Sequence, residues 1–452
     1  MRNYFQMLNF VQGAVKNYKL LLSQFVKFKT VSASSKYSKD IQDCVNWLKE
    51  LLIENGFEVK LFDILDSNPL IFARYKVTTN AKTLLLYGHY DVQPAEKDDG
   101  WKNDPFILQE EDGKYIGRGV ADNKGQLLLH LLSLFELIKK NKLKYNIKIL
   151  IEGNEETGSV GLPSFIKDHA KLLKADYSII SDGELSNNSP TIELGFRGNA
   201  NLTLSIESAN STVHSGMYGN TIPSAVQELI KIISLIYTPD NKIDIDGFYE
   251  DSILDHSLIK NTIISDEESY NCIIKDLGIK KTFVENDLDF QYNIGLLPSF
   301  VVSGIEGGHY GDGYANIVPN KAKAKINIRF GPGQDVDKIL FNVQKYFSQR
   351  MPTYINYEID ISTATSGIIL NPDNEFFRKT EKILKETFDK KVVYKYVGGS
   401  LPIVNSFVND LGCILLSVPL ANSNCNMHGV GENLTLVNAY FGARFCSSLY
   451  IG

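Results

Sequence analysis

Thr83-Leu84-Leu85-Leu86-Tyr87-Gly88-His89-Tyr90-Asp91 is the stretch that decides the fold. An apolar run that stops at a glycine and a His-x-Asp pair predicts a buried strand emptying into a loop. Strands covered on both faces carry continuous rather than alternating apolar residues. A second run, Ile147-Lys148-Ile149-Leu150-Ile151, leads into Gly153-Asn154-Glu155-Glu156-Thr157-Gly158. Between them lies Arg118-Gly119-Val120-Ala121-Asp122-Asn123-Lys124-Gly125. His89, Asp122 and Glu155 follow one another at intervals of 33 residues, about one strand-helix unit each. That spacing predicts strand ends gathered along the carboxyl edge of a parallel sheet, where open α/β folds keep their ligand sites. Carboxylates joined by one or two imidazoles suit zinc, manganese or cobalt. The pattern predicts a metallohydrolase.

Outward from this core, residues 40–55 have helical periodicity and stop at Gly56. Residues 127–138 predict a helix opened by the Asp122 loop, and Tyr177 to Ile180 a strand running into Ser181-Asp182-Gly183. Strand and helix alternate in the doubly wound manner. Near Gly195 the character changes. Asn201 to Ile206 alternates polar and apolar residues, the mark of a strand with one wet face. A helix (223–237), strands near 300–302 and 324–330, a helix (336–347) and a strand (355–361) follow, the β-α-β-β-α-β order of a ferredoxin-like sandwich. A polar excursion at about 239–290 interrupts it, and the first pattern resumes from Asn371. The expected architecture is an α/β, doubly wound mixed-sheet domain of residues 1–195 and 366–452, with an inserted ferredoxin-like α+β domain at 196–365.

A chain of 452 residues exceeds what one core usually supports, which agrees with two domains. The net charge of −6, without runs of like charge, argues against nucleic acid or an anionic membrane as partner. No stretch approaches roughly 18 uninterrupted apolar residues, so no membrane span is expected. The N-terminus, with Arg2, Lys16 and Lys19, lacks a signal-peptide pattern. Cys44, Cys272, Cys413, Cys425 and Cys446 are odd in number and lack CxxC spacing, as reduced structural thiols would be. A cytoplasmic protein is expected.

His89 and Asp91 are two apart on an extended segment, so their side chains share a side. His89 can bind a metal through one nitrogen while Asp91 accepts a hydrogen bond from the other. Asp122 can bridge two cations through its two oxygens, or cap the helix that follows. Glu155 and Glu156 read as a ligand beside a proton acceptor, or as a solvated acidic turn. Asp182 and His428 each follow a strand of the same expected sheet. His214 stands in a glycine-flanked turn of the inserted domain. His130, His169, His256 and His309 lack a carboxylate frame and read as structural.

Together these strings resemble the M20 metallopeptidases. The likeness rests on Gly88 to Pro94, Gly100-Trp101, Asp104-Pro105-Phe106, Gly117-Arg118-Gly119, Asp122 to Gly125, Glu152 to Gly158, His214-Ser215-Gly216 and His428. Val92-Gln93-Pro94 and Gly195-Phe196-Arg197-Gly198 look most like the carnosinase-like dipeptidase branch. The resemblance implies two divalent ions per subunit, zinc before manganese or cobalt. One would be held by His89, Asp122 and Asp182, the other by Asp122, Glu156 and His428. It also implies Glu155 as general base, Asp91 as orienter of His89, and an inserted lid domain that forms a homodimer. His214 would serve the neighbouring subunit's site, and Asn316, Arg329 and Ser400 would bind a small peptide substrate. The rival activity on the same metal site is deacylation of N-acetyl or N-succinyl amino acids.

Overall fold

A computed structural model describes residues 17–252, 274–275, 277–284, 287–362 and 364–451. Arg2, Lys16, His256, Cys272 and much of the expected polar excursion lie outside the described residues. Two compact units emerge: the described parts of Met1–Leu194, Leu370–Lys395 and Pro402–Gly452, and those of Gly195–Ile369 with Tyr396–Leu401. The short return Tyr396–Leu401, expected in the first domain, therefore groups with the second unit.

In the first unit the sheet includes β1 (Glu58–Phe62), β2 (Leu70–Tyr75), β3 (Thr83–His89), β4 (Asn146–Glu152), β5 (Tyr177–Ile180), β6 (Thr191–Phe196) and β7 (Ile414–Ser417). Their order is β1-β2-β4-β3-β5-β7-β6. The β4-β3-β5-β7 centre is parallel, β2 and β6 run against it, and β1 pairs antiparallel with β2. Leu84, Leu85 and Leu86 are all fully buried, as a strand covered on both faces requires. Register places His89 opposite Glu152 and Tyr87 opposite Ile180. β4, β3 and β5 thus end nearly level, and the loops bearing Glu155, Asp91 and Asp182 emerge side by side. The fit there is close: a Cβ on Gly153 would stand 2.2 Å from the Tyr90 ring.

Three helices frame this sheet in the sequence. α1 (Ser38–Glu54) buries Ile41, Cys44, Val45, Leu48 and Leu52 on one stripe and stops before Gly56 at φ +88°. α2 (Lys124–Lys139) is buried from Lys124 to Phe135, as a helix apolar all round should be, and packs against α3 (Leu436–Ile451). A Cβ on Gly125, in the first turn of α2, would meet the Val120 carbonyl oxygen at 1.9 Å.

The even spacing misleads at one point. No strand of the large sheet lies between β3 and β4. Residues 92–123 instead hold a 3-10 turn (Lys97–Asp99) and the hairpin Gln109–Glu111/Lys114–Ile116, which joins Asn433–Thr435 in a separate three-stranded sheet. Pro94, Gly100, Pro105 and Gly113 break up any longer element. Asp122 therefore arrives from the turn before α2, not from a strand end of the large sheet.

The second unit has strands Gly198–Glu207, Ser299–Gly307, Lys321–Phe330 and Asn356–Ile361, with helices Ala225–Ser234 and Val336–Arg350. The antiparallel sheet runs 299–307, 321–330, 198–207, 356–361, the order of a ferredoxin-like sandwich. Leu202, Leu204, Ile206, Ala324, Ile326 and Ile328 bury one face against Leu229, Ile232, Ile339, Val343 and Phe347. By the two-residue period, Asn199, Asn201, Asn327 and Arg329 occupy the opposite face. Among the described residues, no helix is long and apolar enough to cross a membrane.

Candidate metal centre

His89 closes β3 and is fully buried. Its Nδ1 faces Asp91, 3.1 Å from the backbone carbonyl and 3.3 Å from Oδ1. Its Nε2 lies 3.1 Å from Asp122 Oδ1 and 3.3 Å from Asp182 Oδ2. Neither Nε2 nor Asp122 Oδ1 makes a hydrogen bond, although both are buried. On the far side of Asp122, Oδ2 is 2.8 Å from His428 Nε2, which is 3.3 Å from Glu156 Oε2. Two donor sets result, His89-Asp122-Asp182 and Asp122-Glu156-His428, each with its donor atoms within 4.8 Å of one another. They share Asp122 through different oxygens.

These donors fit divalent cations. Buried polar atoms left without partners are costly, and a cation between them removes the cost. Ligand atoms roughly 2.1 Å from a tetrahedral ion stand roughly 3.4 Å apart, close to the separations around His89. Asp122 does not cap α2, whose N-cap is Asn123. Cys425 is a buried free thiol beside Glu184 and belongs to neither set.

The titration behaviour agrees. Burial disfavours a charged His89, yet Asp122, Asp182 and Asp91 outweigh it and raise its pKa well above the usual value. Hydrogen bonds to Asp122 and Glu156 raise His428 to about 10. Asp122 is held well below the usual carboxylate range; burial opposes this, and His428 and His89 overcome it. Burial pushes Glu155 far up, helped by the charges of Asp182, Asp122 and Glu156, and it also raises Glu156. Protons here stand in for missing positive charge.

Asp91 does more than its sequence position suggests. Its Oδ1 accepts the Glu155 N–H (3.2 Å) and its Oδ2 the Glu156 N–H (3.1 Å), so one carboxylate pins the turn carrying both glutamates. Gln93, quoted above only within a motif, donates its backbone N–H (3.1 Å) and its side-chain amide (2.8 Å) to the two oxygens of Glu156. Among the described residues, His130, His169 and His309 belong to neither donor set. His130 is buried between Tyr450 Oη and Ser181 Oγ, and burial lowers it to about 3. His169 stacks on Phe165 at 4.1 Å. His309 is exposed.

In the second unit, His214 ends a short strand paired with Ile317–Val318. Its Nδ1 accepts the Gly216 N–H (3.0 Å), which leaves the ring proton on exposed Nε2. The Ser215 N–H donates to the Asn316 carbonyl (2.9 Å), so His214 and Asn316 are neighbours. Arg329 Nη1 donates to Ser400 Oγ and Nε to Asn327 Oδ1, both at 3.2 Å. Asn327 is itself held by Asn199 (2.7 Å) and Asn201 (2.8 Å). Arg197 donates to the Gly398 and Leu297 carbonyls, and its pKa is drawn down to about 10 by burial and then by the charge of Arg329. The hydrogen-bond partners of the two arginines are backbone carbonyls, the hydroxyls of Ser299 and Ser400, and Asn327.

The sequence profile of Peptidase family M20/M25/M40 matches residues 85–449, and the chain belongs to that family of metallopeptidases. The Cys-Gly metallodipeptidase of Candida albicans is 27% identical over 452 residues, 94% of this chain and 92% of that protein. The human Beta-Ala-His dipeptidase is 26% identical over 400 residues, 85% of this chain and 77% of its own. A solved M20 family metallo-carboxypeptidase from Sulfolobus solfataricus has a TM-score of 0.87 at 28% identity, covering 96% of this chain and 98% of its own. The dipeptidase Dug1p of Saccharomyces cerevisiae shares the fold, with a TM-score of 0.86 at 24% identity and 98% coverage of both.

Proposed function

We propose that this chain is a two-metal dipeptidase that hydrolyses the peptide bond of dipeptides or very short peptides. The observation that carries the proposal is Asp122, shared by two donor sets beside a half-buried Glu155 whose carboxyl is raised by desolvation and by its acidic neighbours. His89, Asp122 and Asp182 would hold one ion and Asp122, Glu156 and His428 the other, zinc before manganese or cobalt. Ions bound there would polarise the scissile carbonyl and make a water acidic enough to lose a proton near neutral pH. Glu155 takes that proton and returns it to the leaving amine. Asp91 keeps His89 in its tautomer and Glu155 in place. Arg329, steadied by Ser400, binds the substrate carboxylate through charge-assisted hydrogen bonds, and Asn316, the neighbour of His214, also contributes to substrate binding. The inserted unit makes a homodimer, and His214 of the partner subunit donates Nε2–H to the developing oxyanion. Buried free Cys44, Cys413, Cys425 and Cys446 suit a reducing, cytoplasmic setting.

The test is metal-depleted protein assayed on dipeptides, N-acetyl and N-succinyl amino acids, and longer peptides. Zinc or manganese should restore activity, with dipeptides the fastest substrates. Full activity with metal verified absent overturns the metal reading; preference for an N-acyl amino acid overturns the dipeptidase reading.

A further inference from the structure

Arg118 and Glu432 form an ion pair almost wholly removed from water, with side-chain exposures of 3% and 0% and Nη1 to Oε2 at 2.7 Å. The carboxylate is crowded with donors. The backbone N–H groups of Gly119 (3.0 Å to Oε2), Ala121 (2.8 Å to Oε1) and Asp122 (3.0 Å to Oε1) all point to it. Arg118 in turn donates Nη2 to the His428 carbonyl at 3.0 Å, and its guanidinium lies 5.6 Å from the Trp101 ring centre.

A buried ion pair is weak evidence for stability, because desolvation cancels most of the attraction. This one does something an apolar pair cannot: its hydrogen bonds end on the backbones that carry Asp122 and His428. His428 sits at φ +61°, a left-handed conformation uncommon for residues other than glycine. Arg118 grips the carbonyl of that very residue. The two ligands it connects are 306 positions apart in the chain.

We infer that Arg118 and Glu432 are positioning residues for the ion held by Asp122, Glu156 and His428. Glu432 fixes the Asp122 backbone, Arg118 fixes the His428 backbone, and their pairing fixes one to the other. The inference rests on the metal reading above, and it predicts asymmetry. His89 and Asp182 hang from β3 and β5, so the first ion depends on the pair only through Asp122.

Titration of the metal-free full chain with Zn²⁺ against a competing chelator decides the matter, alongside thermal unfolding of the same samples. Arg118→Lys keeps a cation against Glu432 but loses the donor to the His428 carbonyl. It should weaken one ion roughly 10–100-fold and leave the other within about threefold, the usual cost of removing a group that orients a metal ligand. Glu432→Gln should weaken both ions, the same one more strongly. Arg118→Lys carries the decision if Glu432→Gln does not fold. Lower melting temperatures with unchanged affinities would show a purely structural pair and overturn the inference while the metal reading stands. Wild-type protein that binds no Zn²⁺ would overturn both.

Discussion

Around Asp122, carboxylates and imidazoles crowd together with more negative charge than their own protons can balance; around Arg329, two guanidiniums lie near each other with only carbonyls, asparagines and hydroxyls for company. The first imbalance is assembled from loops, following β3, β4 and β5 and preceding α2. The second is printed onto a sheet, where Arg329 faces Asn199 in register. Each is held at an energetic cost that only an oppositely charged ligand removes. On the proposed reading, cations answer the first and a substrate carboxylate the second. The division implies separate kinetic signatures: damage to the acidic cluster should appear in kcat, damage to the guanidinium pair in KM.

The largest effect is expected at Glu155. Glu155→Gln keeps size and removes the proton acceptor, so kcat should fall roughly 10²–10⁴-fold or more while bound metal is unchanged. Wild-type turnover in that variant would assign proton transfer to another group. His214→Ala cuts across the tidy division, because His214 lies in the second unit yet should act on kcat, by roughly 10²–10³-fold. Mixing His214→Ala with Glu155→Gln subunits should return up to about half of wild-type activity per heterodimer if the site is shared across a two-fold dimer. No recovery after verified subunit exchange would mean that His214 acts in its own subunit or not at all. The smallest effect is expected for Arg329→Met. Loss of a charged hydrogen bond worth about 1.5–3 kcal/mol should raise KM roughly 10–100-fold with kcat little changed. A dipeptide amidated at its C-terminus, lacking the carboxylate, should not distinguish the variant from wild type. Equal losses on both substrates would break the comparison.

The strand ends were legible because a single string carries both instructions: an apolar run makes the strand, and a glycine with polar residues ends it. Tyr177 to Ile180 was read to the residue, and β3 and β4 to within two. The order of the inserted sheet followed from alternation and element order alone. The structural origin of Asp122 was not legible, because spacing counts residues and cannot distinguish a strand-helix unit from a turn and hairpin of equal length. The contacts of Gln93 and Glu432 were not legible, because each bonds something distant in the chain, Gln93 a glutamate 63 positions away and Glu432 a loop 310 or more away.

The distance along the chain between Asp122 and His428, 306 residues, also sets an order in time. A ribosome adding about 5–20 residues per second needs roughly 15–60 s to travel from one to the other. The His89-Asp122-Asp182 set is complete in the nascent chain once residue 182 has been made; the set that needs His428 must wait for the whole inserted unit to be translated. On the metal reading, the ligands of the first ion exist early in synthesis, but neither site is finished before His428 and Glu432, which holds the Asp122 backbone, have been made.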